Sequence, residues 1–212
     1  MVFSLPLFPL PTVVLFPNVF LPLHIFEPRY RQMVADALTG DRIIGMVTLQ
    51  RGHDSEYEGT PPIYATGCSG LITHTELLED GRYNLVLRGI EKFTIRSEEL
   101  PSAGRLYRSA VITPIDETVP PTDRDELRLQ RKKLLALLSP LFNGAVDGRL
   151  PEAMPDEDLV NALAQYLDFD PMEKLALLER HGPLARCRSM VELLEMKEMM
   201  KGSGIGDQGS VH

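Results

Sequence analysis

The 212-residue sequence predicts an α+β protein: a mostly antiparallel β pseudo-barrel with one helix, followed by a C-terminal helical bundle. Three observations carry this. Up to about Pro114, apolar residues come in short β-branched and aromatic runs separated by Pro, Gly and Asn turn signals. An Asp80-Gly81 pair sits beside an alternating run, the mark of a hairpin. From Thr122 onward, apolar residues recur instead at three- and four-residue steps, the helical period. The predicted organisation is a barrel over 1–116, a helical bundle over 122–201 and a disordered Gly/Ser-rich tail over 202–212.

In order along the chain, Leu5, Leu7 and Leu10 stand among prolines, and Val13 to Phe16 form a β-branched and aromatic run. Pro17-Asn18 marks a turn, after which Val19 to Leu23 resume an extended course. Pro6, Pro9, Pro11 and Pro22 lack a backbone donor and suit sheet edges or bulges. Tyr30, Met33, Val34, Ala37 and Leu38 share one helical face, so a helix is expected from about Pro28 to Leu38, stopped by Gly40. Ile43 to Leu49 reads as a buried strand and Arg51–Pro62 as a loop. The Asp-Gly pair predicts a type I′ turn leading into Tyr83, Leu85 and Leu87. Gly89 then interrupts the strand as at a bulge or barrel corner, and Leu106 to Ile112 is a further strand. In the helical half, Thr122 is the expected N-cap of a helix carrying Leu127, Leu134, Leu137, Leu138 and Leu141, bent or ended at Pro140. Gly144 to Pro155 reads as a linker. Asp156 caps a second helix, Asp170-Pro171 opens a third, and a fourth spans about Leu184 to Lys201.

Charge narrows the function. Lysine plus arginine total 22 and aspartate plus glutamate 30, for a net charge of −8. The balance is −4 on each side of Pro120, so no basic domain is hidden. Nucleic-acid and anionic-membrane partners are therefore not expected. Two distant cysteines, Cys68 and Cys187, form neither a disulfide framework nor a zinc spacing and read as buried thiols in a reducing compartment. The apolar start is cut by prolines and carries no basic lead, and no run reaches the ~18 apolar residues of a membrane span. The expected location is cytoplasmic.

Sites of chemistry are sparse. No Gly-Lys pair exists, so there is no P-loop. His24, His53, His74, His181 and His212 have no metal-ligand spacing; His24 is placed to pair with Glu27. Pro101-Ser102-Ala103-Gly104 repeats the string around the nucleophile of Lon-type serine–lysine proteases, yet it lacks the Lys-Asp-Gly lead-in and reads as a turn. Glu98-Glu99 and Asp156–Asp158 read as a solvated face and a helix cap. Met190, Met196, Met199 and Met200 gather on the last helix. Methionine is over-used on promiscuous binding surfaces, although a core stripe explains the same spacing.

Leu5-Pro-Leu-Phe-Pro-Leu-Pro-Thr-Val-Val-Leu-Phe-Pro-Asn-Val-Phe-Leu-Pro-Leu23 resembles the opening of the Lon protease N-terminal domain, the substrate-recognition module of that ATP-dependent protease. His24-Ile25-Phe26-Glu27-Pro28-Arg29-Tyr30-Arg31-Gln32-Met33 is similar to the variant in stand-alone bacterial members and cereblon-like proteins. Gly67-Cys-Ser-Gly-Leu-Ile72, Asp80 to Ile95 (with Lys92 where arginine is common) and Asp170-Pro-Met-Glu-Lys-Leu175 extend the likeness over about residues 1–200. The resemblance implies a PUA-like pseudo-barrel and a polypeptide-recognition role. It supplies no catalytic residue: Pro9, Phe16, Pro17, Pro22, Glu27, Arg29, Asp80, Gly81 and Gly89 read as structural, with Glu27 and Arg29 anchoring the first helix.

The expected function is thus a non-enzymatic module that binds unfolded or degron-bearing polypeptides, with no cofactor and without ATPase or protease modules. The candidate contacts are Phe16, Phe20, Met196, Met199 and Met200. The alternatives are an adaptor or structural protein with a dedicated partner, an RNA-binding PUA-like protein, and a hydrolase acting through Ser102.

Overall fold

The computed structural model describes residues 3–53, 59–142 and 154–202. Six strands form one sheet: β1 (Phe3–Leu10), β2 (Phe20–Ile25), β3 (Ile43–Leu49), β4 (Ile63–Leu77), β5 (Tyr83–Glu99) and β6 (Ser109–Ile115). Their order is β2-β5-β4-β3-β1-β6, and a β5–β6 pairing closes the last five into a barrel. All pairings are antiparallel except β1–β3. The long β5 makes closure possible. Its first half, Tyr83–Arg88, pairs with β2, and its second half, Lys92–Glu99, pairs with β6, while β4 runs along both.

The prolines of β1 fit because that strand changes partners midway. Phe3–Pro6 pair with β6 and Leu7–Leu10 with β3, so Pro6 and Pro9 each lie in a half with one unpaired side, where a missing donor costs no ladder bond. The Asp80-Gly81 turn differs from the expected type I′. Only Gly81 has positive φ (80°), and Gly81 N–H donates to Leu78 O while Leu78 N–H donates to Arg82 O. This is a three-residue loop with a glycine bulge.

Helix α1 (Pro28–Thr39) buries Tyr30, Met33, Val34 and Ala37, the stripe its sequence spacing predicts. Together with Phe8, Leu15, Ile25, Ile44, Met46, Ile72, Leu85 and Leu87 they form one core cluster. A second cluster, Leu5, Leu7, Val47, Leu49, Ile63, Phe93, Ala110 and Ile112, fills the rest of the barrel. Lys92, beside Phe93 on β5, is buried and is held by Glu117 at 2.6 Å.

The helices are α2 (Arg124–Leu138), α3 (Asp156–Tyr166), α4 (Pro171–Glu179) and α5 (Gly182–Gly202). Asp123, the last residue of a 3₁₀ turn (Pro121–Asp123), stands at the N-cap of α2 in place of Thr122, whose hydroxyl donates to Asp123. Asp170 and Glu173 form a reciprocal cap for α4: Asp170 Oδ1 accepts from Met172 N–H (2.6 Å) and Glu173 N–H (3.0 Å), and Glu173 Oε2 accepts from Asp170 N–H (2.9 Å).

The chain divides into two compact units, with one division next to the expected seam. One is Met1–Glu117 with Asn161–Glu179; the other is Thr118–Val160 with Arg180–His212. Asn161–Glu179 therefore groups with the barrel. The segment buries Ala164, Phe169, Leu175, Leu177 and Leu178, and polar contacts tie it as well: Asn161 donates to Pro17 O (3.1 Å), Phe16 N–H donates to Gln165 Oε1 (3.2 Å), and Arg51 pairs with Asp170 (3.2 Å). In the second unit α2 packs on α5. Glu126–Arg188 and Lys133–Glu195 both tie them; each partner steps by seven residues, so the two helices run in the same direction. Residues 143–153, most of the expected linker, and 203–212, nearly all of the expected tail, lie outside the described residues.

Candidate functional site

Strand β2 sets the geometry of the barrel unit's exposed face. Leu21 and Leu23 lean on the core, so Phe20, Pro22 and His24 point outward, and their register partners Arg88, Val86 and Asn84 share that face. Phe20 is 51% exposed and Phe26, just beyond the strand, 59%. Ile90, two residues beyond Arg88, is also exposed, and Tyr166 is 66% exposed while its hydroxyl donates to Phe20 O at 2.7 Å. One end of the face is polar. His24 Nδ1 bonds Asn84 Oδ1 (2.8 Å), Asn84 donates to Glu76 (2.9 Å), and Arg82 contacts His24 Nε2 (3.2 Å). His24 thus pairs across the sheet, and Glu27 is taken by Arg29 at 2.8 Å. The other end carries Arg88, which donates to Asn18 Oδ1 (3.1 Å).

The outer edge of β2 is interrupted at two points. Val19 O accepts from Gly89 N–H (2.9 Å), so by strand alternation the backbone groups of Phe20, Pro22 and His24 face away from β5. Pro22 offers no N–H there, and Tyr166 already occupies Phe20 O.

The five residues singled out in the sequence separate sharply. Phe20 lies on this face. Phe16 is fully buried, because the turn that follows it is tucked under Gly89 (Asn18 N–H to Gly89 O, 2.9 Å); it cannot touch a ligand from there and is a core residue. Met196, Met199 and Met200 are exposed on the last turns of α5, in the other unit. Phe26, Ile90 and Tyr166 are exposed in the same unit and were not among the sequence candidates. Alternation with Phe20 points to Phe26, whereas Tyr166 had no signal beyond an aromatic at the end of a helix.

Two concavities accompany α1. One, of about 240 Å³, is lined by Pro9, Arg29, Tyr30, Gly59, Thr60, Pro101, Leu106, Tyr107 and Arg108. Both guanidiniums are engaged: Arg29 with Glu27, and Arg108 with Glu98 (3.2 Å) and Pro61 O (3.0 Å). Burial and the bond it donates to Asp36 (2.9 Å) push the Tyr107 hydroxyl up to about 12, so it stays a neutral donor. The other, about 420 Å³ and open, runs between α1 and Leu77, Gly81 and Tyr83.

No group of three or more His, Cys, Asp or Glu among the described residues is placed to hold a metal. Both cysteines are buried, and burial, with Asp156 adding, pushes the Cys187 thiol up to about 12, far from a nucleophile. Ser102 sits in a tight turn, exchanging backbone hydrogen bonds with Arg105 at 3.0 and 3.1 Å. No described helix is long and apolar enough to cross a membrane.

A family model described as the ATP-dependent protease La (LON) substrate-binding domain matches residues 4–196. Lon protease 2 of Myxococcus xanthus is 29% identical over 202 residues, 93% of this chain and 24% of that protein. The Lon protease of Anaeromyxobacter dehalogenans is 27% identical over 205 residues, again 93% and 24%. The chain therefore spans about a quarter of the length of these relatives. Among solved structures, a Lon N-terminal domain protein from Xanthomonas campestris has a TM-score of 0.62 at 23% identity, covering 90% of this chain and 98% of that one. The N-terminal domain of the Mycobacterium avium complex Lon protease gives 0.62 at 17%, covering 91% and 98%. These two likenesses show the fold, and the match over residues 4–196 shows that the chain belongs to the LON substrate-binding domain family.

Proposed function

We propose that this chain is a polypeptide-binding module, without catalysis of its own, that recognises unfolded or degron-bearing polypeptides. The observation that carries the reading is the exposed apolar face around β2. Phe20, Phe26, Ile90 and Tyr166 stand out exposed from a closed barrel. Exposed apolar groups interspersed with polar ones characterise interaction surfaces, and here the His24–Asn84–Glu76 row lies between Phe20 and Phe26. Family membership supports the same reading, since the matched region is a substrate-binding domain. Within these residues no P-loop stands beside it.

The test is fluorescence anisotropy against labelled unfolded casein, with a folded protein and a structured RNA as controls. Saturable binding to casein alone is expected, weakened by Phe20→Ser and Phe26→Ser together. No binding at tens of micromolar would refute the reading. The exposed Met196, Met199 and Met200 on α5 favour a second reading, an adaptor with a dedicated protein partner. On that reading casein binding is absent, and a partner retained from lysate is lost on Met199→Ser.

A further inference from the structure

We propose that the face around β2 holds an apolar segment of a polypeptide through side chains alone, with a carboxylate of that segment seated on Arg88, and not as an added strand. The inference rests on the polypeptide-binding reading above and names what that surface selects.

The first argument is the state of the edge. Strand addition works by main-chain hydrogen bonds to a row of outward N–H and C=O groups. Along β2 that row is carried by Phe20, Pro22 and His24. The middle donor does not exist, because Pro22 has no N–H, and the Phe20 carbonyl is bonded to Tyr166 at 2.7 Å. An incoming strand would displace a well-formed bond and leave one of its own acceptors facing the Pro22 ring, where an unmet buried group costs about 1–3 kcal/mol. The side chains face the other way. Phe20, Phe26, Ile90 and Tyr166 offer apolar area with no backbone register attached to it.

The second argument is charge. Arg88 is the register partner of Phe20 and lies on the same outward face. It donates to the neutral Asn18 Oδ1 and, among the described residues, has no carboxylate partner. The other cation at this surface, Arg82, is bound by Asp80 at 2.6 Å. A cation beside exposed aromatic and aliphatic groups complements an acidic residue within an apolar stretch, and such charges set specificity more than affinity.

Anisotropy titrations with three labelled versions of a short, unstructured apolar peptide containing one central glutamate test both parts. The versions are the parent, one N-methylated at alternate backbone nitrogens, and one with glutamine for the glutamate. The N-methylated peptide is expected to bind within about twofold of the parent. The glutamine peptide is expected to bind roughly threefold more weakly, the scale of an exposed ion pair, and Arg88→Gln is expected to make the two bind alike. Loss of tenfold or more on N-methylation would overturn the side-chain mode. Equal binding of glutamate and glutamine peptides by the unsubstituted protein would overturn the role of Arg88. If neither the parent peptide nor casein binds, the polypeptide-binding reading itself falls and takes the inference with it.

Discussion

Replacing Gly89 by alanine would place a Cβ 2.0 Å from Phe16 O, 2.8 Å from its carbonyl carbon and 3.2 Å from Pro17 Cα. All three are backbone atoms, so no side-chain rotation relieves the clash; the Phe16–Asn18 turn must move away from β5. That movement strains two hydrogen bonds of 2.9 Å, Asn18 N–H to Gly89 O and Gly89 N–H to Val19 O. Overpacking costs about 1–3 kcal/mol and each bond about 1 kcal/mol, so a loss near 4 kcal/mol is expected. For a chain of this size that lowers the melting temperature by roughly 8–16 °C. Gly52→Ala is the control. Gly52 has φ of +86° with nothing within 4 Å of an added Cβ, so only backbone strain of about 1–2 kcal/mol applies. Urea unfolding of both variants gives the comparison. If Gly89→Ala costs no more than Gly52→Ala, the claim that this glycine locks the turn to the barrel is wrong. Because the same turn leads into Phe20, the Gly89 variant is also expected to lose casein binding under conditions where it remains folded.

Three further outcomes follow from the described contacts. Glu117→Gln removes the carboxylate held against the buried Lys92 ammonium and should cost about 3–5 kcal/mol, whereas replacing the pair together, Lys92→Met with Glu117→Leu, should be near neutral; urea midpoints that rank the single and the double variant the other way would refute the pairing argument. Asp170→Ala removes the acceptor for Met172 and Glu173 N–H and should cost about 1 kcal/mol, read in the same assay. Alkali should destabilise the fold: Tyr107, pushed up to about 12 by burial and then by Asp36, and Cys187, pushed up to about 12 by burial and then by Asp156, keep their protons in the folded chain after the unfolded chain has lost them. Stability contributed by these groups is therefore complete below about pH 8.5 and falls as pH rises toward 12. Tyr107→Phe should flatten the part of that decline between about pH 10 and 12, and an unchanged slope would show that Tyr107 does not contribute.

Local features were legible where one physical signal dominates. The stripe Tyr30, Met33, Val34, Ala37 specifies α1 because only a helix brings those side chains to one face. Pro171 at the first turn behind Asp170 specifies the start of α4. Register was not legible. Phe16 and Phe20 look alike in sequence, yet one is core and the other surface, because the turn between them is tucked under Gly89, and a contact with a residue so far along the chain leaves no local mark. The grouping of Asn161–Glu179 with the barrel was hidden for a related reason. Its anchors, Asn161 and Gln165, are single amides on an otherwise ordinary amphipathic helix, and their partners are backbone atoms at Pro17 and Phe16. In sequence they look like solvent-facing polar residues.

That segment also bears on why an apolar surface can be left open here. A barrel with one extra strand has one exposed edge, and an edge beside exposed aromatic side chains invites pairing with another chain. β2 meets this with Pro22 and with Tyr166, which comes from the end of α3 and takes the Phe20 carbonyl. The residue that limits edge-to-edge association therefore also adds its own exposed ring to the face. Closing the backbone edge and exposing the side chains are compatible only because the two point in perpendicular directions from a strand. On the reading proposed above, β2 meets apolar segments through its side chains while its hydrogen-bonding row is broken at Pro22 and occupied at the Phe20 carbonyl.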